Sequence, residues 1–162
     1  MDSSPIVCNA GPLIALSLVD QLRVLPALYK NILVPEAVWL EVVDSGFGRA
    51  GAAELKAAPW IELIPSIPVD SFLEADLGRG ESQVIAVGRA REAALVLIDE
   101  LLARRVASQV YGLRVKGSAG ILVQAKNAGM IPEVRPLLQG MKKRGYYLSD
   151  RLIERACSEV GE

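Results

Sequence analysis

Ala94-Leu95-Val96-Leu97-Ile98-Asp99-Glu100-Leu101-Leu102-Ala103-Arg104-Arg105-Val106-Ala107-Ser108-Gln109-Val110-Tyr111-Gly112-Leu113-Arg114-Val115-Lys116-Gly117-Ser118 reads as a strand, a helix and a second strand in succession. Ala94 to Ile98 is an unbroken apolar run of strand length, as expected of a strand buried on both faces. Leu101 to Tyr111 has the length of a helix, and Gly112 supplies the stop. Leu113 to Lys116 is a second strand, ending at Gly117-Ser118. A strand, a crossover helix and another strand form a unit that makes a parallel sheet.

The same alternation extends in both directions. Ile6-Val7-Cys8 is a short buried strand followed by a turn signal, Asn9-Ala10-Gly11-Pro12. Leu13 to Val19 and Leu22 to Tyr29 read as short helices. Asn31 to Val34 is a strand, with Pro35 placed as the first residue of a helix over Glu36 to Asp44 that closes at Ser45-Gly46. A helix over Ala50 to Ala58 stops at Pro59, before a strand over Trp60 to Ile64. Residues 65–79 are a loop or a short helical excursion, and Gly78-Arg79-Gly80 opens a helix from Glu81 to Glu92. Beyond the quoted stretch, Ala119 to Ala128 is helical with Gly129 as its stop. Residues from about 132 form two further helices broken at Gly145-Tyr146-Tyr147. The expected architecture is therefore α/β, three layers α/β/α, with a parallel sheet of about five short strands flanked by helices. Residues 1–162 are expected to form one domain, with the last helices packed on it.

Composition narrows the partners. The hydrophobic fraction is 51% against 23% charged, an ordinary globular balance, and only 5% is aromatic, so Leu, Val, Ile and Ala must build the core. The net charge of -1 excludes a strongly basic nucleic-acid binder, so any such binding rests on local patches or on metal. Cys8 and Cys157 belong to no CxxC pattern and imply no disulfide framework, which fits a reducing cytoplasm. The N-terminus has no secretory pattern, and no apolar stretch approaches the length of a membrane span.

Polar oxygens stand where apolar segments stop. Asn9 follows the first strand, Asp99 the fourth and Ser118 the fifth, so all three share the edge where the strands of an open parallel sheet emerge and ligands gather. Glu41 is the only charge in Ala37 to Val43, and Glu81 stands just ahead of Val84-Ile85-Ala86-Val87. Helical spacing sets both glutamates on core-facing stripes, with Glu81 in a first turn where the helix dipole favours it. Converging carboxylates repel, and Mg²⁺ or Mn²⁺ relieves that repulsion with oxygen ligands alone. A chain with no histidine at all suits that chemistry, because such ions activate water for in-line attack at phosphorus without an imidazole. Each acid also has an ordinary structural role open to it: Glu41 in an ion pair with Arg, Asp99 as a helix cap, Glu81 as a dipole-stabilising charge.

Taken in order, Ile6 to Leu16, Val34 to Val42, Gly80 to Ala86, Leu97 to Ala107 and Val115 to Leu122 resemble the PIN-domain family of metal-dependent ribonucleases. The likeness is to the group that opens with an apolar strand, an Asp or Asn, and then Pro-Leu-Ile-Ala-Leu. It spans nearly the whole chain. The resemblance implies an acidic pocket that binds Mg²⁺ or Mn²⁺ and hydrolyses RNA, with catalytic Glu41, Glu81 and Asp99 and metal ligands Asn9, Glu41, Glu81 and Asp99. Ser118 and Glu100 are secondary candidates, and Arg104 and Arg105 are candidates for nucleic-acid contact, with a solvated helix face the expectation for at least one of them. It further implies a homodimer and the toxin role of a toxin–antitoxin pair, with an antitoxin protein as partner. Two departures favour an alternative, a PIN-fold protein that binds nucleic acid or a partner with weak or no cleavage. The usual first Asp is Asn9, and the usual Ser or Thr two residues later is Gly11.

Other features carry less. Lys142-Lys143-Arg144 has a sufficient explanation at a helix C-terminus. Gly78-Arg79-Gly80 lacks the spacing of a phosphate loop. Trp39 and Trp60 are expected in the core or at a dimer interface, and Tyr146-Tyr147 as a hinge between helices or a base-stacking surface.

Overall fold

The computed structural model describes residues 4–44 and 49–162; the expected helix stop at Ser45-Gly46 lies outside them. Five strands form one sheet: β1 (Ile6–Cys8), β2 (Ile32–Pro35), β3 (Ile61–Ile64), β4 (Leu95–Leu97) and β5 (Val115–Lys116). Every pairing is parallel, and the order across the sheet is β3-β2-β1-β4-β5. This is the three-layer arrangement expected from the alternating apolar runs. The central strands are apolar because helices cover both faces: Val7, Cys8, Val34, Val96 and Leu97 have no exposed surface.

The helices among the described residues are α1 (Ala10–Leu18), α2 (Val24–Tyr29), α3 (Glu36–Asp44), α4 (Arg49–Lys56), α5 (Ser71–Asp76), α6 (Arg79–Ala90), α7 (Leu101–Arg105), α8 (Ser118–Asn127), α9 (Arg135–Lys143) and α10 (Asp150–Glu159). Helix α6 lies on β1, β2 and β4 and packs against α3, while α9 packs on α1 and α10 on α8. Trp39 and Trp60 are half-buried against the core.

Three local expectations change. The turn signal at Asn9 to Pro12 is the start of α1, since Pro12 falls in the first turn, where a missing N–H is harmless. Pro35 is the last residue of β2 rather than the first of α3, at a strand end where a lost donor is tolerated. The helix after Asp99 is α-helical only to Arg105 and continues as a π-helix over Val106–Val110. The excursion within 65–79 is α5, whose N-cap Asp70 accepts from Phe72 N at 3.1 Å.

Candidate metal centre

The strand order sets the position of the site. Connections run away in opposite directions from β1 and β4, so their C-terminal ends flank the crevice that such a sheet offers to ligands. Register pairs Cys8 with Leu97 and Leu97 with Lys116, which puts Asn9, Asp99 and Ser118 one or two residues beyond the last paired rung. Asn9 N donates to Leu97 O at 2.9 Å, and Ile98 N to Lys116 O at 3.0 Å, fixing that edge.

Asn9 occupies the N-cap position of α1 but does not cap it with its side chain. An N-cap amide serves the N–H of the second or third helical residue, and here the third is Pro12, which has none. Asn9 is 4% exposed, and its Oδ1 is buried without a hydrogen-bond partner among the described residues. Native proteins seldom leave such an oxygen bare, since the lost bond costs about 1–3 kcal/mol.

Asp99 is held by three donors. Ser118 N reaches Oδ1 at 2.6 Å, Ser118 Oγ reaches Oδ2 at 2.5 Å, and the Tyr146 hydroxyl reaches Oδ2 at 2.5 Å. Ser118 is fully buried and is the first residue of α8, so one of that helix's free N–H groups points at the carboxylate. Burial, and then the charge of Asp99, hold the Tyr146 phenol protonated far above its ordinary value. The same two causes push the Cys8 thiol up, which leaves it an inert core group.

Glu41 and Glu81 form a second acidic group. Helix α3 brings Glu41 to the N-terminus of α6, and Glu81 lies in that helix's first turn. Burial pushes the Glu41 carboxyl up, the charge of Glu81 pushes it further, and a hydrogen bond from the Gly80 backbone opposes both. Contact is close: a Cβ on Gly80 would lie 2.5 Å from Glu41 Oε1. The Gly78-Arg79-Gly80 segment is thus a seat for acids rather than a phosphate loop. Glu41 is exposed as a residue, with only its carboxyl partly covered, and does not point into the core as its helical phase suggested, while Glu81 is half-buried.

The secondary candidates take other places. Glu100 is the N-cap of α7, accepting from Leu102 N at 3.1 Å and Ala103 N at 2.7 Å, so the capping role open to Asp99 belongs to its neighbour. Arg104 is half-buried and donates from Nη1 to Ile98 O at 3.0 Å, a strut at the end of β4, whereas Arg105 is exposed. Lys142 pairs with Asp150 at 2.5 Å across the turn between α9 and α10. Tyr147 is 88% exposed, but Tyr146 belongs to the Asp99 group, a placement that the sequence reading missed. Its one local signal was the helix break at Gly145.

A family model described as DUF3368: PIN domain matches residues 5–162. The chain belongs to the PIN-domain family. Comparison with curated proteins gives no match. PIN domains are generally nucleases and typically use divalent metals, so this PIN domain carries a nuclease-type fold. Its acids divide into the Glu41–Glu81 pair and the Asp99–Ser118–Tyr146 group, and among the described residues no three Asp, Glu, His or Cys side chains gather into one metal-holding cluster. The donor types still suit a hard cation. All are oxygens, three are carboxylates, of which Glu41 and Glu81 repel each other, and the Asn9 amide oxygen is buried without a partner among the described residues. No helix among the described residues is long and apolar enough to cross a membrane.

Proposed function

We propose that this PIN domain is a divalent-metal-dependent ribonuclease that hydrolyses RNA phosphodiester bonds at the C-terminal edge of its sheet. The observation that carries the reading is the bare Oδ1 of Asn9, an acceptor without a donor among the described residues, at the strand edge that also bears Asp99. Asn9, Glu41, Glu81 and Asp99 would hold Mg²⁺ or Mn²⁺, which supplies water activation and charge stabilisation at phosphorus. The chain's own residues set the geometry. Ser118 and Tyr146 fix the plane of the Asp99 carboxylate, Gly80 holds Glu41 against Glu81, and Arg104 braces the end of β4. Arg105, exposed one position further along the helix that leaves the site, would meet a phosphate. The biological setting we propose is cytoplasmic, as the homodimeric toxin of a toxin–antitoxin pair with an antitoxin protein as partner.

The test is Mn²⁺ titration followed by thermal melting, together with cleavage of RNA. The parent should show a saturable upward shift, and Asp99→Asn should abolish both the shift and the cleavage. Undiminished cleavage by Asp99→Asn overturns the mechanism.

A second reading, nucleic-acid or partner binding without cleavage, is favoured by the separation of the acids into two groups and the missing charge at Asn9. Gain of Mn²⁺ binding and cleavage on Asn9→Asp, from an inactive parent, supports it; cleavage by the parent ends it.

A further inference from the structure

Tyr146 lies 47 residues from Asp99 in sequence, yet their side chains meet at 2.5 Å. Two devices aim it. Gly145 adopts φ +91°, a left-handed conformation that stops α9 and is open to glycine at little cost, with Gly145 N donating to Lys142 O at 3.1 Å and Tyr146 N to Met141 O at 3.0 Å. On the far side, Ser149 caps α10 by accepting from Leu152 N at 3.1 Å. The turn that carries Tyr146 is therefore fastened at both ends, and its anchor Met141 is fully buried.

The third device is in α1. A Cβ on Gly11 would lie 2.7 Å from the Tyr146 hydroxyl, 3.3 Å from Asp99 Cβ and 3.4 Å from Asp99 Oδ2. No side chain fits at position 11 while the phenol sits on Asp99.

We infer that Tyr146 is a positioning residue of the metal site, and that Gly11 is the vacancy that admits it. This role rests on the metal reading of the site. A carboxylate has about four lone-pair directions, and Ser118 N, Ser118 Oγ and Tyr146 take three of them. Asp99 is thereby locked in rotation and left with one direction free, which is where it would offer an oxygen to a cation. Donors behind a ligating carboxylate set its orientation, and their loss typically weakens metal binding or activity about ten- to a hundredfold.

The experiment is a double-mutant cycle on Mn²⁺ binding, read by thermal-shift titration of the full chain, with circular dichroism verifying the metal-free fold. Tyr146→Phe keeps the ring and removes the hydroxyl, and it should weaken Mn²⁺ about ten- to a hundredfold. Gly11→Ala should do the same by displacing the phenol, and should add little in the Tyr146→Phe background. A Tyr146→Phe protein that binds Mn²⁺ as the parent does, or a Gly11→Ala cost equal in both backgrounds, overturns the assignment. If the parent binds no Mn²⁺, the metal reading falls alone. The positioning role is then decided on the metal-free protein by the Tyr146 hydroxyl proton resonance. We expect it far downfield in the parent and lost in Asp99→Asn and Gly11→Ala; its absence from the parent overturns the role.

Discussion

Asn9→Asp separates the cost of a buried charge from the gain of a bound ion. Asn9 is 4% exposed and its Oδ1 has no hydrogen-bond partner among the described residues, so the new carboxylate would inherit none of them as a donor to that oxygen. Without metal, burial and the charge of Asp99 act together to raise its pKa. Burial this deep shifts a carboxyl by up to about 3–5 units, and the lower figure corresponds to about 4 kcal/mol at neutral pH. At about 2–4 °C per kcal/mol for a chain of this length, Asn9→Asp in chelator should melt roughly 8–16 °C below the parent at pH 7. The folded-state pKa is raised above the unfolded value of about 3.9, so the penalty is absent below that value and complete above the folded one, near 7. The two proteins should therefore converge as the pH falls from about 7 to about 4. Mn²⁺ at a hundredfold excess over its dissociation constant returns about 2.7 kcal/mol, so most of the deficit should close on titration. Differential scanning calorimetry across pH, with chelator and with Mn²⁺, is the assay. Equal melting temperatures at pH 7 in chelator would show that position 9 is solvated enough to ionise freely, and would remove the physical basis of the metal reading.

Two further outcomes can be checked. Glu162 accepts from Lys126 Nζ at 2.8 Å, Val134 N at 2.7 Å and Arg135 N at 2.9 Å, and these partners hold its carboxyl down at about 2, below the ordinary 4.5. The stability it contributes is present above pH 4.5 and lost as the pH falls toward 2; Glu162→Gln should melt lower at pH 7 and match the parent near pH 2, and an unchanged melting temperature at pH 7 refutes the contribution. Gln83, 5% exposed, donates from Nε2 to Ile67 O at 2.8 Å and accepts from Ile67 N at 3.0 Å, pinning the chain ahead of α5. Gln83→Leu should cost about 1–3 kcal/mol and raise hydrogen exchange at the Ile67 amide, and an unchanged exchange rate there refutes the pin.

The sheet was legible because parallel strands buried on both faces must be written as apolar runs, and Ile6 to Cys8 and Ala94 to Ile98 could be little else. Counting positions from those runs was enough to set Asn9, Asp99 and Ser118 on one edge. Which of two adjacent acids caps α7 was not legible. Asp99 and Glu100 are both capable, and only the backbone angles at Glu100, φ -63° and ψ 127°, decide it. The change to a π-helix at Val106 has no local sequence signal that we can identify. Helical phase placed Glu41 on a buried stripe, but it could not show that α3 ends against the open N-terminus of α6. Tyr146 was hidden by distance. Its partner is 47 residues away, and Gly11 looked like a lost hydroxyl rather than a space with an occupant.

The packing of α9 on α1, with α10 closing behind it on α8, gives the site an order in time. Asn9, Glu41, Glu81, Asp99, Ser118 and Tyr146 are spread across 138 positions of the chain, counted inclusively from 9 to 146. Contacts of such long range form late, after the loops between them have closed. A chain emerging from the ribosome can pair β1 with β4 once residue 97 is out, yet Asp99 then has neither Ser118 nor Tyr146 behind it. The carboxylate acquires its final orientation only when the last hairpin docks. Synthesis therefore completes the last strand, at Lys116, thirty residues before it reaches Tyr146.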